Sequence, residues 1–213
     1  MIEYPSMRNL SKSPRDYCIA FDKLDGSNIR VKYNKKQGFN LFGSRTRLFD
    51  SSDLQFGEAI SLFNNTLREP LQEIYNDKQF KDIKEIITFF EFFGPNSFAG
   101  YHQQTDVKQL IPIDILILYK KNISEFMLPQ DFINLLDGKL EIPKVIYSGK
   151  LNDIFINDVK SNKYNLNEGV VCKGTVYRGD YAGKVWMTKI KTLDYLKRVF
   201  TNYGKEGLLL YGE

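Results

Sequence analysis

The chain has 213 residues, of which 42% are hydrophobic and 26% charged, so it is long enough for one domain with a sizeable core and is not of the disordered or fibrous class. Its formal net charge of +4 and its pI near 8.8 reflect a mild excess of basic over acidic residues, which is compatible with a polyanionic partner. No stretch is long and apolar enough to span a membrane, and no basic segment followed by an apolar one opens the chain, so we expect no membrane association.

Cysteine and histidine are scarce in this sequence. The two cysteines, Cys18 and Cys172, lie in apolar, strand-like stretches without metal-ligand spacing. Buried free thiols in a reducing, cytoplasmic environment are therefore expected. His102 is the single histidine, which argues against a histidine pair or a Ser-His-Asp relay. Nucleophilic or acid-base chemistry would depend on Lys, Asp, Glu or Tyr.

A lysine stands between two predicted strands near the start of the chain. Residues 17–21 form an apolar run, and residues 27–33 alternate polar and apolar side chains. Asp25 and Gly26 form a turn signal between them, so the sequence predicts a β-hairpin with Lys23 at a strand end. Such a rigid position suits a nucleophile. An ordinary hairpin with an exposed lysine is the alternative.

The next predicted strand, over residues 39–44, leads directly into Arg45 and Arg47. Two guanidinium groups at a strand end could bind phosphates in a forked geometry. A solvated loop explains the same residues, and the local sequence leaves both interpretations open.

The rest of the chain alternates helical and strand-like patterns. The predicted elements are helical segments over 55–77 with an interruption at Pro70, strands over 83–94 and 111–119, helices over 129–136 and 151–159, strands over 168–173 and 183–191, and a basic helix over 194–203. Glu91 and Asp114 lie inside apolar strands, where a carboxylate needs a partner or a ligand. An ion pair or an outward orientation would also explain Glu91.

The last two predicted strands carry charged residues at their ends. Glu168 opens the first of them, and Lys189 and Lys191 share one face of the second because they are two residues apart. A solvated edge strand protected by lysines is the alternative to a binding site.

Taken together and in chain order, these residues resemble the motifs of the covalent nucleotidyltransferase superfamily of polynucleotide ligases and mRNA capping enzymes. The stretch from Lys23 to Asn28 is similar to motif I, Arg45 to motif Ia, Glu91 to Gly94 to motif III, Asp114 to motif IIIa, Glu168 to Val171 to motif IV, and Lys189 to Lys191 to motif V. Asn28 stands where RNA ligases often carry Asn and where DNA ligases and capping enzymes usually carry Arg. The chain thus most resembles ATP-dependent RNA ligases of the phage RNA ligase 2 type, and a phage or viral source would fit.

The resemblance implies an α+β fold, a nucleotidyltransferase (ATP-grasp-like) domain of antiparallel sheets flanked by helices. We expect a single adenylyltransferase domain over residues 1–213 with a short C-terminal helix after about residue 192, and no C-terminal OB-fold. A protein partner or a homodimer could supply the second domain that such ligases usually carry.

The resemblance also implies the chemistry. Lys23 would form a lysyl-AMP intermediate from ATP with Mg²⁺ or Mn²⁺, and AMP would then pass to a 5′-phosphate RNA end that is sealed to a 3′-OH, in RNA ends or a nicked RNA duplex. Glu168 would hold the metal. The expected catalytic residues are Lys23, Glu168, Lys189 and Lys191. The expected nucleotide-binding residues are Lys23, Asp25, Gly26, Asn28, Arg45, Glu91, Val170, Lys189 and Lys191.

Two other functions remain open at this point. A minimal ATP-dependent DNA ligase or an mRNA guanylyltransferase would share most motifs, although Asn28 and the absence of an expected OB-fold argue against both. A non-catalytic nucleotide- or RNA-binding protein would not need Lys23.

Overall fold

The structure is a computed structural model that describes residues 1–7, 9–95, 105–120, 123–176 and 183–211; His102 lies outside these ranges. The strands are β1 (Tyr17–Asp22), β2 (Ser27–Asn34), β3 (Gly38–Gly43), β4 (Leu48–Phe49), β5 (Ile83–Phe93), β6 (Gln109–Tyr119), β7 (Ser124–Phe126), β8 (Val145–Lys150), β9 (Gly169–Thr175) and β10 (Val185–Lys191). The α-helices are α1 (Gly57–Thr66), α2 (Arg68–Tyr75), α3 (Pro129–Leu136), α4 (Asp153–Lys160) and α5 (Leu193–Tyr211).

The chain folds into two compact units, each built on an antiparallel sheet. Residues 1–5 and 25–142 form the first unit, and residues 6–24 and 143–213 form the second. Within the described residues, the first unit has the strand order β4-β3-β2-β5-β6-β7 and the second has the order β10-β9-β1-β8. The predicted α+β class with antiparallel sheets and helices is confirmed.

Aromatic side chains fill the core of the first unit. Phe63 of α1 is fully buried, and its ring packs edge-on against Phe39 and Phe42 of β3 and Phe90 of β5, with ring centroids 4.9 to 5.8 Å apart. Edge-to-face pairs at this spacing stabilise a core beyond the area that they bury. The high aromatic content of the sequence is therefore used in part to pack α1 against the sheet.

The helical segment of the first unit is divided close to the predicted place. The break between α1 and α2 falls at Leu67, and Pro70 lies in the first turn of α2. Proline is tolerated there because the first amides of a helix have no intrahelical acceptor. Two consecutive helices, one of the two predicted alternatives, are thus observed.

One face of the four-stranded sheet forms the core of the second unit. Alternate residues of β1 and β9, among them Cys18, Val170 and Cys172, pack with Phe155 and Val159 of α4. Both cysteines are free and fully buried, as predicted, and their thiols are hydrogen-bonded to each other.

The predicted hairpin is wrong. β1 pairs with β8 and β9, whereas β2 pairs with β3 and β5, so the two strands belong to different sheets. Gly26 lies in the segment that connects β1 to β2, and a Cβ added at Gly26 would lie 2.5 Å from the carbonyl oxygen of Phe92. The glycine is required for close approach to β5 rather than for a hairpin turn.

The C-terminal helix extends beyond its predicted end. The pattern predicts a stop at Gly204, and the backbone does leave the helical region there, with φ of 65° and ψ of −156°, before helical structure continues to Tyr211. Only glycine adopts this conformation readily. No helix in the described part of the chain is long and apolar enough to cross a membrane.

Replacing Phe63 by alanine should lower the free energy of unfolding by about 3–5 kcal/mol, because the ring is fully buried and its removal leaves a cavity. Urea denaturation followed by circular dichroism measures the change. Leu54→Ala, at a fully exposed position in the same unit, serves as the control and should alter stability by less than about 0.5 kcal/mol. Equal stability of the two variants would contradict the packing described here.

Candidate active site

Three strands of the second unit converge on the residues from Glu168 to Gly169. β9 pairs with β1 on one side and with β10 on the other. The amide of Lys23 donates to the carbonyl of Gly169 at 2.9 Å, and the amide of Thr192 donates to the carbonyl of Glu168 at 2.9 Å. Main-chain hydrogen bonds thus fix this strand mouth between the end of β1 and the end of β10.

A buried carboxylate joins two lysines at this mouth. Glu168 Oε2 lies 2.7 Å from Lys23 Nζ, and Glu168 Oε1 lies 2.8 Å from Lys191 Nζ. The side chains of Glu168 and Lys191 are 2% and 6% exposed, whereas that of Lys23 is 20% exposed. A buried charge that lacks a partner is strongly destabilising, so both lysine contacts are needed to keep this carboxylate ionised. Lys23 is the member of this triad that solvent or a ligand can reach.

Gly169 allows these strands to approach each other. An added Cβ at Gly169 would lie 2.0 Å from the carbonyl oxygen of Ile190 and 2.8 Å from Cα of Lys191. Any side chain would therefore push β10 away from β9. Because Lys191 reaches Glu168 from the end of β10, the triad depends on the absence of a side chain at residue 169.

The two faces of the four-stranded sheet carry different residues, with the lysines on one face and the apolar core on the other. Lys189 is paired in register with Val171, and Lys191 with Gly169, so these residues share the face opposite to the core. Val170 is fully buried in the core with the cysteines. The structure therefore does not bring Val170 together with the lysines, and Val171 is the apolar residue on their face.

Asp22, which is not among the predicted site residues, immediately precedes Lys23. Its Oδ1 is buried and has no hydrogen-bond partner among the described residues. Burial raises the pKa of this carboxyl group, the positive charge of Lys144 opposes the rise, and the negative charge of Glu168 adds to it. An aspartate that ends an apolar strand beside a candidate nucleophile was a usable signal.

The other predicted residues lie in the first unit. Asn28 of β2 and Glu91 of β5 are register partners. The Asn28 side-chain amide donates a long hydrogen bond, 3.5 Å, to the carbonyl of Phe90, and its Oδ1 is buried without a partner among the residues that the structure describes. This oxygen is an acceptor that a ligand hydroxyl could satisfy.

Asp114, the other carboxylate predicted within a strand, has a protein partner. It is 2% exposed and accepts a hydrogen bond from the hydroxyl of Tyr4. Burial, the charge of Asp114 and, to a smaller extent, the charge of Glu91 raise the pKa of Tyr4 well above its usual value. Asp114 therefore has a structural role in the first unit.

The triad fits a metal through one carboxylate. In the described ranges, no group of three or more His, Cys, Asp or Glu side chains could enclose an ion. Mg²⁺ is commonly bound by one or two carboxylates together with water and substrate phosphates, and Glu168 can supply one such ligand. Both of its oxygens contact lysines, so a metal would replace one of these contacts.

Comparison with solved structures finds the same fold in Naegleria gruberi RNA ligase. A variant of that ligase with ATP and Mn superposes with a TM-score of 0.59 at 17% identity, covering 86% of this chain and 52% of the other. An apo variant gives a TM-score of 0.64 at 17% identity, covering 93% and 57%. The ligase with PPi gives 0.58 at 17% identity, covering 86% and 52%. This chain thus spans little more than half the length of these neighbours.

Comparison with curated protein sequences gives no match. The family model described as RNA ligase matches residues 16–191, a range that contains both candidate groups of residues. Since this match covers well over half of the sequence, the chain belongs to the RNA ligase family.

Proposed function

We propose that this protein is an ATP-dependent RNA ligase that works through a lysyl-AMP intermediate. The observation that carries the proposal is the triad of Lys23, Glu168 and Lys191, in which the most accessible lysine is held by a buried carboxylate. Membership of the RNA ligase family and the likeness to a ligase described with ATP and Mn support it.

In the first step, Lys23 Nζ attacks the α-phosphorus of ATP. A P–N bond forms, the bond between the α-phosphorus and the bridging oxygen breaks, and pyrophosphate leaves. The attacking amine must be neutral, and Glu168 Oε2 lies 2.7 Å from Nζ, within reach to accept its proton. AMP is then transferred to a 5′-phosphate RNA end, and a 3′-OH displaces it to seal the strand.

Lys191 and Lys189 supply positive charge on the face that carries Lys23. Lys191 contacts Glu168 Oε1 at 2.8 Å, and this contact would keep the Glu168 side chain in place when Lys23 turns toward the nucleotide. The triad has one more positive than negative charge when both lysines are protonated, which favours a triphosphate. Stabilisation of phosphoryl transfer depends mainly on such positioned charges.

Glu168 would also hold the divalent metal, Mg²⁺ or Mn²⁺. When bound, such an ion neutralises charge on the transferring phosphoryl group and orients it for in-line displacement. Glu168 would both contact the lysines and hold the metal. Its loss should therefore affect AMP transfer and sealing as well as the attack of Lys23 on the nucleotide.

The remaining residues would bind the nucleotide and the RNA end. Glu91 and the Asn28 oxygen, which has no partner among the described residues, are acceptors suited to hydroxyl groups, and Arg45 is exposed and suited to a phosphate of the RNA end. Asp25 and Gly26 are assigned to nucleotide binding by their place beside Lys23. Val171, in place of Val170, would provide the apolar contact for the adenine.

Incubation with ATP and Mg²⁺ should add the mass of AMP to the wild-type protein, and Lys23→Ala should lack the adduct because it has no amine to attack. Intact-mass spectrometry measures both. Lys163→Ala removes an exposed lysine of the same unit that is paired with Asp158, and this control should retain the adduct. An adduct that forms only with GTP would reassign the protein as a guanylyltransferase.

Glu168→Ala should reduce sealing of a nicked RNA duplex on the order of hundredfold or more, since several kcal/mol of transition-state stabilisation is lost. Asp153→Asn is the matched control, because Asp153 is a carboxylate of the same unit that pairs with Arg15 on the surface, at 86% exposure. Gel-based sealing rates on nicked RNA, single-stranded RNA and nicked DNA compare substrates. Wild-type rates for Glu168→Ala across a Mg²⁺ titration would remove Glu168 from the mechanism.

A further inference from the structure

Arg30 is a buried arginine of β2 that the proposed mechanism does not use. It is 3% exposed. Its Nε donates to the carbonyl of Ser44 at 2.7 Å, one terminal nitrogen donates to the carbonyl of Met1 at 2.9 Å, and the other lies 3.9 Å from a Glu3 carboxylate oxygen. Burial lowers the pKa of this guanidinium group and the charge of Glu3 opposes that change. Burying a guanidinium group carries a large desolvation penalty, so we asked which structural or functional role offsets it.

The backbone of β3 leaves room for this guanidinium group. Gly43 is the register partner of Arg30, and a Cβ at Gly43 would lie 3.1 Å from Arg30 Nε and 2.8 Å from the terminal carbon of Met1. The glycine thus lets Arg30 reach the end of β3, where the chain turns.

The turn that follows β3 is held at both ends. The amide of Ser44 donates to the carbonyl of Arg47 at 2.8 Å, which closes the turn. Arg30 fixes the Ser44 end, while Arg47 forms an ion pair with Asp53 and lies 5.5 Å from the ring centre of Phe56. These contacts make the turn rigid rather than a freely moving loop.

Arg45 stands at the tip of this turn. It is exposed, and within the described ranges no hydrogen bond or ion pair engages its side chain. A rigid turn holds the Arg45 guanidinium group in a fixed position. This arrangement is expected where the group binds an anionic ligand in a defined geometry.

We propose that Arg30 is a positioning residue that acts through Arg45: it fixes the Ser44–Arg47 turn so that Arg45 meets a phosphate of the RNA end. The proposal rests on the proposed function in the role given to Arg45. Lysine cannot replace Arg30, because one ammonium group lacks the planar fork that serves both carbonyls. Loss of Arg30 should therefore weaken use of the RNA end while leaving Lys23 adenylation in place.

The first experiment does not depend on activity. Hydrogen exchange followed by mass spectrometry compares the wild type with Arg30→Lys, and residues 43–48 and 1–5 should both exchange on the order of tenfold faster in the variant. Arg68→Lys is the matched control: Arg68 donates to the main-chain carbonyl of Phe39 in the same unit, away from the turn. Unchanged exchange in residues 43–48 of Arg30→Lys would overturn the proposal.

The second experiment is a double-mutant cycle on the preadenylated enzyme with Arg30→Lys and Arg45→Ala. Each should raise the KM for a 5′-phosphate RNA end on the order of tenfold, and the double variant should be no worse than Arg45→Ala. Asp53→Asn, which releases the Arg47 end of the turn without touching Arg30, should act like Arg30→Lys. Additive effects, or a parallel loss of Lys23 adenylation, would overturn the proposal.

The two proposals fail separately. A wild type that forms no adduct on Lys23 would overturn the ligase function, and the exchange experiment would still decide whether Arg30 holds the turn. An Arg30→Lys variant that seals RNA as efficiently as the wild type would overturn the role of Arg30 alone.

Discussion

The second unit depends on one buried carboxylate that is shared by two ammonium groups. Glu168 is nearly inaccessible to water, and its two oxygens contact Lys23 and Lys191 at 2.7 and 2.8 Å. Three charges in a place of low dielectric are tolerable only together, because loss of any one leaves an imbalance that solvent does not screen. The pairing of β1, β9 and β10 and the missing side chain at Gly169 serve to bring them together.

The first unit also contains a buried charged side chain, that of Arg30, but its partners are of a different kind. Arg30 is buried beside β3 and satisfies its donors mainly with main-chain carbonyls rather than with a buried carboxylate. A carbonyl has a fixed position in the fold, so the guanidinium group ties two backbone segments to each other. Charge is used here to define backbone geometry, whereas at Glu168 it is used to hold side chains whose protons and contacts must change during a reaction.

The periodic parts of the sequence predicted most of the fold. Long apolar runs placed β5 and β6, and helical spacing placed α3 and α4 within two residues of their observed bounds. The short or partly exposed strands β4, β7 and β8 were missed, since they lack a sustained pattern. The hairpin was wrong because a turn signal is local, whereas strand pairing is decided by partners distant in the sequence.

The candidate site was predictable in its residue types but not in its contacts. Motif order singled out Lys23, Glu168 and Lys191, yet no pattern states that one carboxylate contacts both lysines. Choosing Val171 over Val170 needs the register of β9, because adjacent strand residues face opposite sides. Arg30 was missed because burial of a charged residue within an amphipathic strand cannot be inferred from spacing alone. Asp22 was missed although its place at the end of an apolar strand beside Lys23 was a usable signal.

The buried thiols provide a native reporter of the strands that carry the triad. Cys18 lies on β1, which ends just before Lys23, and Cys172 lies on β9, which begins just after Glu168; both cysteines are fully buried. The hydrogen bond that the Cys172 thiol donates to Cys18, together with burial, raises the pKa of Cys172 well above its usual value, so this thiol reacts slowly while it stays buried. The rate at which a thiol reagent modifies Cys172 therefore measures how often the core between this sheet and α4 opens, without any added label.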